Sequence, residues 1–326
     1  MQPVKQGVIL AAGKGTRLHP ITATRTKAMA PVAGKPIVAR VMETLLQNGI
    51  RDFILLISPE DQEITSYFRE KFAAELTIQF VVQPQRLGMA NALSLATPFI
   101  RGPFILSACD NLTPAAHVAE LLSTHENMQA NATLSLTAID IAKASSTGII
   151  EWQNNFIRRI IEKPKPEEAP SNISSLPLYV FSRKILDYLP AVKPSPRGEY
   201  ELQDAIQMLI EHDGQVTGVL TRSRMQLTNF ADLLALNRHY LAIDPDAAQV
   251  LTQNIGEGTR LVPPVRIDDK VAIGPGCVIG PNVSIEQGCE IGANAQIADA
   301  LILRNTIVAA GRKIEHEVVS DDPKAG

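Results

Sequence analysis

The residues of this chain best suited to chemistry form a short glycine segment near its start. An apolar stretch that ends at Leu10 leads directly into Gly13, Gly15 and Arg17, and Lys27 follows close behind. Glycines let backbone N–H groups approach phosphate oxygens, and basic side chains neutralise the charge of a polyphosphate. The segment therefore favours binding of a phosphate-bearing ligand.

Spacing alone does not identify a known phosphate loop. The dinucleotide-binding fingerprint needs a third glycine where this chain has Leu18, and the Walker spacing of glycine and lysine is absent. A tight strand-to-helix connection that binds nothing is an equally good interpretation of a single glycine-rich turn.

The identities of the residues say more than their spacing. This part of the chain resembles the signature of the sugar-1-phosphate nucleotidyltransferases, which include the glucose-1-phosphate thymidylyl- and uridylyltransferases. The resemblance extends over roughly residues 4–240 and starts with Leu10–Leu18, Pro20, Thr22, Lys27, Pro31-Val32 and Lys35-Pro36. It implies a Rossmann-like α/β domain that joins a nucleoside triphosphate to a sugar 1-phosphate and releases pyrophosphate. The family usually has Pro-Lys where this chain has Thr26-Lys27, but the lysine is retained.

Nucleotidyl transfer needs cations rather than a general base. A phosphate monoester is already largely dianionic at pH 7, so the protein must align two polyanions and stabilise the leaving pyrophosphate. By resemblance, Arg17 and Lys27 bind the β- and γ-phosphates, and Lys163 binds the sugar phosphate. These three are the expected catalytic residues. A solvated surface pair is the alternative for Arg17 and Lys27.

The resemblance also assigns a nucleotide site. The residues expected to bind the nucleotide are Leu10, Ala12, Gly13, Gly15, Thr16, Gln83 and Gly88. Gln83 begins a segment similar to the base-recognition segment of the family and is expected to read the pyrimidine edge. Gly88 is expected to allow close approach of the nucleotide or the sugar.

The sugar site is expected around a Glu-Lys-Pro motif that begins at Glu162. By resemblance, Glu162 accepts hydrogen bonds from sugar hydroxyl groups, and Gly148 and Asn172 line the sugar pocket. A surface Glu-Lys pair is the alternative for the motif taken alone. The segment Gly198–Asp204 matches a further family segment, for which we expect a role in folding rather than catalysis.

Asp110 follows an apolar strand and fits the magnesium-binding aspartate of the family. A carboxylate and phosphate oxygens are ligands that Mg²⁺ prefers, although an aspartate that only caps a turn is the alternative. Gln226 stands where the family has a second metal-binding aspartate, and Pro177 stands where it usually has glycine. These two departures leave open a catalytically weak or inactive relative that binds sugar nucleotides and regulates a partner.

Composition narrows the class of protein. The chain has 326 residues, enough for about two domains, and a net charge of −3 that argues against a nucleic-acid-binding surface. Its three cysteines, Cys109, Cys277 and Cys289, have no metal or disulfide spacing and indicate a reducing compartment. No apolar run approaches the roughly 18 residues of a membrane span, and the start reads as a strand rather than a signal peptide. We therefore expect a cytoplasmic protein that does not bind membranes.

The first half of the chain alternates between strands and helices, which predicts a mixed, mostly parallel, doubly wound sheet with ligands at the carboxyl ends of its strands. The predicted strands are Val4–Leu10, Phe53–Ile57, Ile78–Val82, Phe104–Ala108, Thr133–Ile139, Gly148–Trp152, Ile157–Ile161 and Leu178–Phe181. The predicted helices are Pro36–Asn48, Gly88–Thr97, Leu202–Glu211, Phe230–Leu241 and one capped by Thr113. The predicted domains are a nucleotidyltransferase domain over residues 1–242, a linker over 243–262, a β-helix over 263–314 and a tail over 315–326.

The C-terminal segment repeats every six residues, and a strict hexapeptide period predicts a parallel β-helix with three hexapeptides per coil. Its inward positions are expected at Val265, Val271, Cys277, Val283, Cys289, Ala295, Leu301 and Ile307, and two residues after each of them. The pattern resembles left-handed hexapeptide β-helices, with fewer than three coils. Open β-helix edges favour self-association, so we expect a homo-oligomer. A bifunctional enzyme with acetyltransferase activity in this segment is disfavoured by its length.

Overall fold

The computed structural model describes residues 2–19, 21–72 and 76–320. Its internal contacts divide the chain into two units, Met1–Gly13 with Val41–Arg224, and Lys14–Arg40 with Met225–Gly326. Pro20 and the last six residues of the predicted tail lie outside the described residues. The predicted domain boundaries stay predictions.

The first unit is built on a mixed sheet. Its strands are β1 (Gln6–Leu10), β2 (Asp52–Ile57), β3 (Thr77–Val82), β4 (Phe104–Ala108), β5 (Ala132–Ala138), β6 (Gly148–Gln153), β7 (Phe156–Glu162), β8 (Ile173–Phe181) and β9 (Val216–Leu220). The order is β7-β6-β8-β4-β1-β2-β3, with β5 pairing both β8 and β9. The β4-β1-β2-β3 part is parallel, whereas β8 runs antiparallel to β4, β5 and β6. The predicted Rossmann-like fold with a mixed sheet is confirmed, and β9 is a strand that the sequence did not indicate.

The long helices are α1 (Ile37–Leu46), α2 (Gln62–Phe72), α3 (Met89–Ala96), α4 (Ala115–Asn127), α5 (Leu202–His212) and α6 (Phe230–Ile243). Helix α1 buries Val38, Val41 and Leu45 on one face, and Gly49 follows it in the left-handed conformation that commonly ends a helix. The prediction that Thr113 caps α4 is wrong. Pro114 holds the cap position, and no side chain caps this helix. Among the described residues, no helix is both long enough and apolar enough to span a membrane.

Pro177 is accommodated by a bulge in β8. Leu176 pairs with Ser135 of β5, and the next pair is Tyr179 with Leu134, so Pro177 and Leu178 have no partner on this side. A bulge leaves a residue unpaired, which suits a proline because proline cannot donate a hydrogen bond to a neighbouring strand. The departure at Pro177 therefore fits the fold of the sheet.

The second unit contains the repeat segment, which forms three short parallel sheets as a β-helix does. Their strands are Arg260–Leu261, Val278–Ile279, Gln296–Ala298 and Lys313–Glu315; Val265–Ile267, Val283–Ile285, Leu301–Ile302 and Val318–Val319; and Ala272–Ile273, Glu290–Ile291 and Ile307–Val308. Two of the sheets therefore have four strands, which is more than the predicted count of fewer than three coils. Left-handedness of the coil and self-association stay predictions.

The repeat slips by one residue in its last third. Val265 pairs with Val283, three hexapeptides further on, but Ser284 pairs with Leu301, one residue short of that interval. The predicted inward position Ile307 is consequently 61% exposed, whereas Val308 is buried. The inward assignment of Ile307 is therefore wrong.

The inward residues after the slip are Ala300, Ile302, Val308, Ile314 and Val319. Leu301 and Leu303, which the six-residue period also predicts, are buried but are not part of this core cluster. Cys277 and Cys289 are buried inward residues as predicted. None of the three cysteines forms a disulfide bond.

Candidate functional site

The start of the glycine segment and Asp110 lie at the same edge of the sheet. Strands β1 and β4 are parallel neighbours in which Leu10 pairs with Ala108. The N–H of Cys109 then donates to the carbonyl of Leu10 at 3.1 Å. Asp110 is therefore presented directly beside the point where the glycine segment leaves the sheet. This is the carboxyl edge, where open α/β sheets bind their ligands.

The first residues of the glycine segment are fixed by a basic side chain from a neighbouring loop. The carbonyl of Ala12 accepts a hydrogen bond from Nε of Arg86 at 2.8 Å, and Arg86 also pairs with Glu60 at 3.1 Å. A Cβ placed on Gly13 would meet no atom of the described residues within 4 Å. The backbone of Gly13 is therefore held in place and left open to a ligand.

The amide of Gln83 has a defined orientation. Its Nε2 donates to the carbonyl of Gly88 at 3.2 Å and to Oδ1 of Asn91 at 2.9 Å. The carbonyl of Gly88 can only accept, so the amide nitrogen must point towards it. Both N–H groups are thereby used, and the amide oxygen is the atom with which Gln83 can bind a ligand.

Gly88 is required by a neighbouring backbone. It has φ +100°, and a Cβ there would lie 2.5 Å from the carbonyl oxygen of Tyr200. Tyr200 also donates its N–H to the carbonyl of Leu87 at 2.7 Å and accepts from the N–H of Ala90 at 3.0 Å. The close approach at Gly88 is thus to Tyr200, and a role towards the nucleotide stays a prediction.

Buried polar atoms without hydrogen-bond partners gather around Gly148. Gly148 and Glu162 pair across β6 and β7, and a Cβ on Gly148 would lie 3.1 Å from both Oε2 of Glu162 and Oγ of Ser175. Oε2 of Glu162, Oγ of Ser175, Oη of Tyr179 and Oε1 of Gln203 are all buried and unpaired. Such atoms cost free energy unless something binds them. We call these five residues the Gly148 cluster.

Burial also sets the electrostatics of the Gly148 cluster. Desolvation raises the pKa of Glu162, which Lys163 and Arg197 lower and Glu201 raises further. Burial likewise raises the pKa of Tyr179, so its hydroxyl stays protonated and can donate. The cluster therefore combines a carboxylate that accepts with a phenol that donates, as a polyhydroxylated ligand requires.

A cleft of 670 Å³ lies beside Glu162 and is lined by Lys163, Lys193 and Arg197 among other residues. Lys163 has φ +49°, a left-handed conformation that is uncommon for a lysine, and its Nζ lies 3.5 Å from Oε1 of Glu162. Arg197 pairs with Glu201 at 2.6 Å and lies 3.6 Å from Oε1 of Glu162. The positive charges of Lys163, Lys193 and Arg197 make this cleft suitable for an anionic group. Such a group could belong to a ligand that also reaches the Gly148 cluster.

Asn172 is not placed by the same contacts as Glu162. Its side chain is exposed, and its backbone carbonyl accepts from the N–H of Ile139 at 2.9 Å. The assignment of Asn172 to the sugar pocket stays a prediction.

The basic residues of the glycine segment belong to the second unit. Gly15 has φ +64°, and a Cβ there would lie 2.7 Å from Cβ of Lys27, so the lysine packs directly on the glycine. Oγ1 of Thr22 donates to the carbonyl of Gly15 at 3.2 Å. Arg17 and Thr16 are exposed in the short turn that follows. Thr22, Gly15 and Lys27 therefore form one compact loop that presents Arg17 to the solvent.

Gln226 also lies in the second unit, next to a helix cap. Its Nε2 donates to Oγ1 of Thr228. The carboxylate of Asp232 accepts from the backbone N–H of Thr228 at 2.7 Å and of Asn229 at 3.2 Å, and it forms a capping box with Asn229 at the start of α6. Asp232 is therefore used by the helix and does not replace the carboxylate that Gln226 lacks.

Comparisons with known proteins identify the family of the chain. A profile described as "Nucleotidyl transferase" matches residues 6–242, and one described as "GMPPB C-terminal domain" matches residues 261–326. The chain is 33% identical over 97% of its length to "Bifunctional protein GlmU" of Methanococcus maripaludis, of which it covers 74%. The chain belongs to the sugar-1-phosphate nucleotidyltransferase family.

Two shorter matches are to enzymes with named substrates. "UTP--glucose-1-phosphate uridylyltransferase AglF" of Haloferax volcanii is 32% identical over 63% of this chain and 83% of that protein. "Glucose-1-phosphate thymidylyltransferase" of Xanthomonas campestris is 33% identical over 61% of this chain and 68% of that protein. A crystal structure of UDP-glucose pyrophosphorylase complexed with UDP-glucose has the same fold, with a TM-score of 0.66 over 73% of this chain and 99% of that one, at 22% identity.

Asp110 is the candidate metal ligand of this nucleotidyltransferase. The described residues contain no group of three or more His, Cys, Asp or Glu side chains arranged to hold a metal ion. Mg²⁺ is commonly bound by one or two carboxylates together with the phosphates of a substrate, so a single strand-end carboxylate such as Asp110 fits this requirement. The donor set is suited to a cation that arrives with the nucleotide.

The candidate site contains residues that the sequence did not indicate. Ser175, Tyr179 and Gln203 face Glu162 in the Gly148 cluster, and Arg197 lines the adjacent cleft. Gln203 lies within Gly198–Asp204, the segment that was expected to act only in folding. The family likeness of that segment was a signal that could have pointed to Gln203, and its expected role in folding stays a prediction.

Proposed function

We propose that the enzyme transfers the nucleotidyl group of dTTP or UTP to glucose 1-phosphate, giving a nucleoside diphosphate sugar and pyrophosphate. The observation that carries the proposal is the Gly148 cluster. Two of its buried polar atoms without partners, Oε2 of Glu162 and Oγ of Ser175, lie directly beside the room that the missing side chain of Gly148 leaves. A hexose supplies hydroxyl groups that can both donate to and accept from such atoms.

The sugar phosphate fits the cleft beside the cluster. Lys163 and Arg197 place positive charge 3.5 Å and 3.6 Å from the same carboxylate that would receive the sugar hydroxyls. A ligand that places a pyranose on Glu162 and its phosphate on Lys163 would therefore have its hydroxyl groups hydrogen-bonded and its phosphate charge neutralised. This arrangement favours a sugar 1-phosphate over a free sugar.

The orientation of Gln83 supports a uracil or thymine base. Its amide oxygen is an acceptor, and these two bases carry an imide N–H at ring position 3. Cytosine has an acceptor at the same ring position, so it would face the amide oxygen with a lone pair. The names of two relatives, one that uses UTP and one thymidylyltransferase, are consistent with this choice.

The triphosphate is assigned to the glycine segment, with Arg17 and Lys27 neutralising the β- and γ-phosphates and the leaving pyrophosphate. Asp110 would hold Mg²⁺ together with the phosphates, and the cation would supply charge that stabilises the transferred phosphoryl group. The carbonyl of Gln226 is a neutral donor, so Asp110 supplies the one carboxylate of this assignment.

The test measures pyrophosphate release with Mg²⁺, glucose 1-phosphate and each of dTTP, UTP, GTP and ATP. We expect release with dTTP or UTP and loss of at least about 100-fold in kcat/KM for Arg17→Ala and Asp110→Ala. Release only with a purine triphosphate would contradict the base assignment. Binding of nucleotide without release, with every sugar phosphate tried, would favour a regulatory relative instead.

A further inference from the structure

One ion pair in the second unit joins the glycine segment to the repeat domain. The guanidinium of Arg25 forms two hydrogen bonds with the carboxylate of Glu286, at 2.7 Å and 2.9 Å. The Arg25 side chain is only 4% exposed and that of Glu286 is 16% exposed. These residues are far apart in the chain, so the pair fixes a tertiary contact and not a local turn.

A second arginine reinforces the same contact. The backbone N–H of Arg304 donates to Oε2 of Glu286 at 3.0 Å, and Nη2 of Arg304 donates to the carbonyl of Thr24 at 2.9 Å. Glu286 and Arg304 belong to neighbouring coils of the β-helix, whereas Thr24 and Arg25 belong to the glycine segment. Thr24 and Arg25 of the segment are therefore held by Arg304 and Glu286, which come from two neighbouring coils. We call these contacts the clamp.

The clamp is poorly suited to a purely stabilising role. Nε of Arg25 is buried and has no hydrogen-bond partner, so part of the desolvation cost of the guanidinium is uncompensated. Buried ion pairs contribute little net stability compared with apolar packing, and their best-attested use is to specify one arrangement. What this pair specifies is the position of the chain immediately before Lys27.

Lys27 connects Arg25 to the loop that contains Gly15 and Arg17. It follows Arg25 by two residues, and its Cβ packs on Gly15, whose carbonyl is also held by Thr22. Any shift of Arg25 must therefore move Lys27 against Gly15 and the exposed Arg17 that follows. The two basic residues assigned to the triphosphate thus depend on a contact made by the C-terminal domain.

We propose that Glu286 and Arg25 are positioning residues for the triphosphate site, and that the β-helix is a structural part of that site. The inference rests on the proposed function, because it assumes that Lys27 and Arg17 bind the triphosphate. It adds that the C-terminal domain contributes to nucleotide affinity without touching the nucleotide.

The test uses the full chain and compares Glu286→Gln, Arg25→Lys and the double variant. Glu286→Gln keeps the size of the side chain but removes its charge, and Arg25→Lys keeps the charge but removes the two-pronged contact. We expect each to raise the KM for the triphosphate about tenfold, with the KM for the sugar 1-phosphate within about twofold of wild type. Because both changes break one contact, the double variant should be no worse than the more severe single variant.

A matched control is available in the same unit. Arg238 of α6 pairs with Asp299 of the β-helix at 2.7 Å, but neither residue adjoins the glycine segment. Asp299→Asn should therefore leave both KM values unchanged. An equal rise in the triphosphate KM for Asp299→Asn would show a general effect on the β-helix and would overturn the proposal.

Equilibrium binding separates this inference from the proposed function. The Kd of dTTP or UTP, measured by calorimetry with wild type and Arg25→Lys, needs no turnover. Wild-type protein that binds the triphosphate but releases no pyrophosphate would end the proposed function, and a tenfold weaker Kd in Arg25→Lys would still support the clamp. Unchanged Kd and KM in Arg25→Lys would overturn the clamp even where Glu286→Gln fails to fold.

Discussion

Gly148 and Glu162 face each other across two antiparallel strands, so closely that a Cβ on the glycine would lie 3.1 Å from Oε2 of the glutamate. The space that the missing side chain leaves is bounded by polar atoms that lack partners. An empty position beside unpaired polar atoms is what a site for a polyhydroxylated ligand requires, because the ligand supplies the absent hydrogen bonds.

Gly148→Ala tests this space directly. The glycine has no positive φ, so the backbone tolerates alanine, but the methyl group would occupy the position of a sugar hydroxyl. We expect the KM for the sugar 1-phosphate to rise at least about tenfold, the equivalent of one lost hydrogen bond, while the KM for the triphosphate stays unchanged. Gly102→Ala is the matched control, since a Cβ there would approach only the side chain of Gln2. Unchanged kinetics in Gly148→Ala would argue against a sugar at this position.

Glu162 should give the enzyme an acidic limb in its pH profile. Burial raises the pKa of its carboxyl group, so the carboxylate to which we assign the sugar hydroxyls is lost at a higher pH than for an ordinary glutamate. As the pH falls through that raised pKa, the KM for the sugar 1-phosphate should increase. Glu162→Gln should have a high KM at all pH values and lack this limb. The sugar phosphate also titrates, near pH 6, but it affects both proteins equally. The same acidic limb in both proteins would exclude Glu162 as its source.

Much of the site was predictable because the strand-end residues follow from periodicity. Leu10 and Asp110 each end an apolar run, and parallel neighbouring strands bring such ends together. The Gly148 cluster was not predictable in the same way. Its members come from three strands and one helix, and β8 contains a bulge that sets which side chains face Glu162. A sequence pattern does not reveal where a register shifts, since a bulge changes the face of every residue that follows.

The repeat domain shows the same limit. Its hexapeptide period is read easily from the buried positions up to Ala295, but one residue is missing before Ala300. Extending the period without that gap predicts Ile307 as an inward residue in place of Val308. Ile307 is in fact exposed, and Val308 is buried. Strict repeats predict a β-helix well, whereas single-residue irregularities need coordinates.

Gln83→Ala should reduce discrimination between bases. The amide oxygen is the atom available to the base, because both N–H groups bind Gly88 and Asn91. We expect the ratio of kcat/KM for UTP over CTP to fall about tenfold, since the acceptor that favours an imide N–H is removed. The KM for the sugar 1-phosphate provides the control and should not change. A preserved UTP preference would assign base recognition to another residue.

Replacement by alanine should affect stability very differently at two glycines, Gly13 and Gly88, of the proposed nucleotide site. Gly13→Ala places its methyl group where the described residues have no atom within 4 Å, so stability should change by less than about 0.5 kcal/mol. Gly88→Ala combines φ +100° with a contact of 2.5 Å to Tyr200, and should lower the free energy of unfolding by about 2–4 kcal/mol.

Denaturant titrations compare the stabilities of these two variants, and kinetics then isolate the ligand. A raised triphosphate KM in stable Gly13→Ala would show that the polyphosphate approaches this backbone. Normal kinetics in that variant would remove Gly13 from the site.

His125 should make the protein less stable in mild acid. It is buried on α4, where Nδ1 lies 3.2 Å from Oγ1 of Thr133 and Nε2 has no partner, and burial lowers its pKa from 6.5 to about 4. Between these two values the unfolded chain binds a proton that the folded protein does not, so stability falls as the pH drops from 6.5 towards 4. The loss between pH 7.5 and pH 5 should be about 2 kcal/mol from this residue. His117, whose pKa burial also lowers, acts in the same direction.

Denaturant titrations of wild type and His125→Leu at both pH values test this, with the exposed His239→Leu as control. His125→Leu should lose less stability than wild type on acidification, and an equal loss in both would place the acid sensitivity elsewhere.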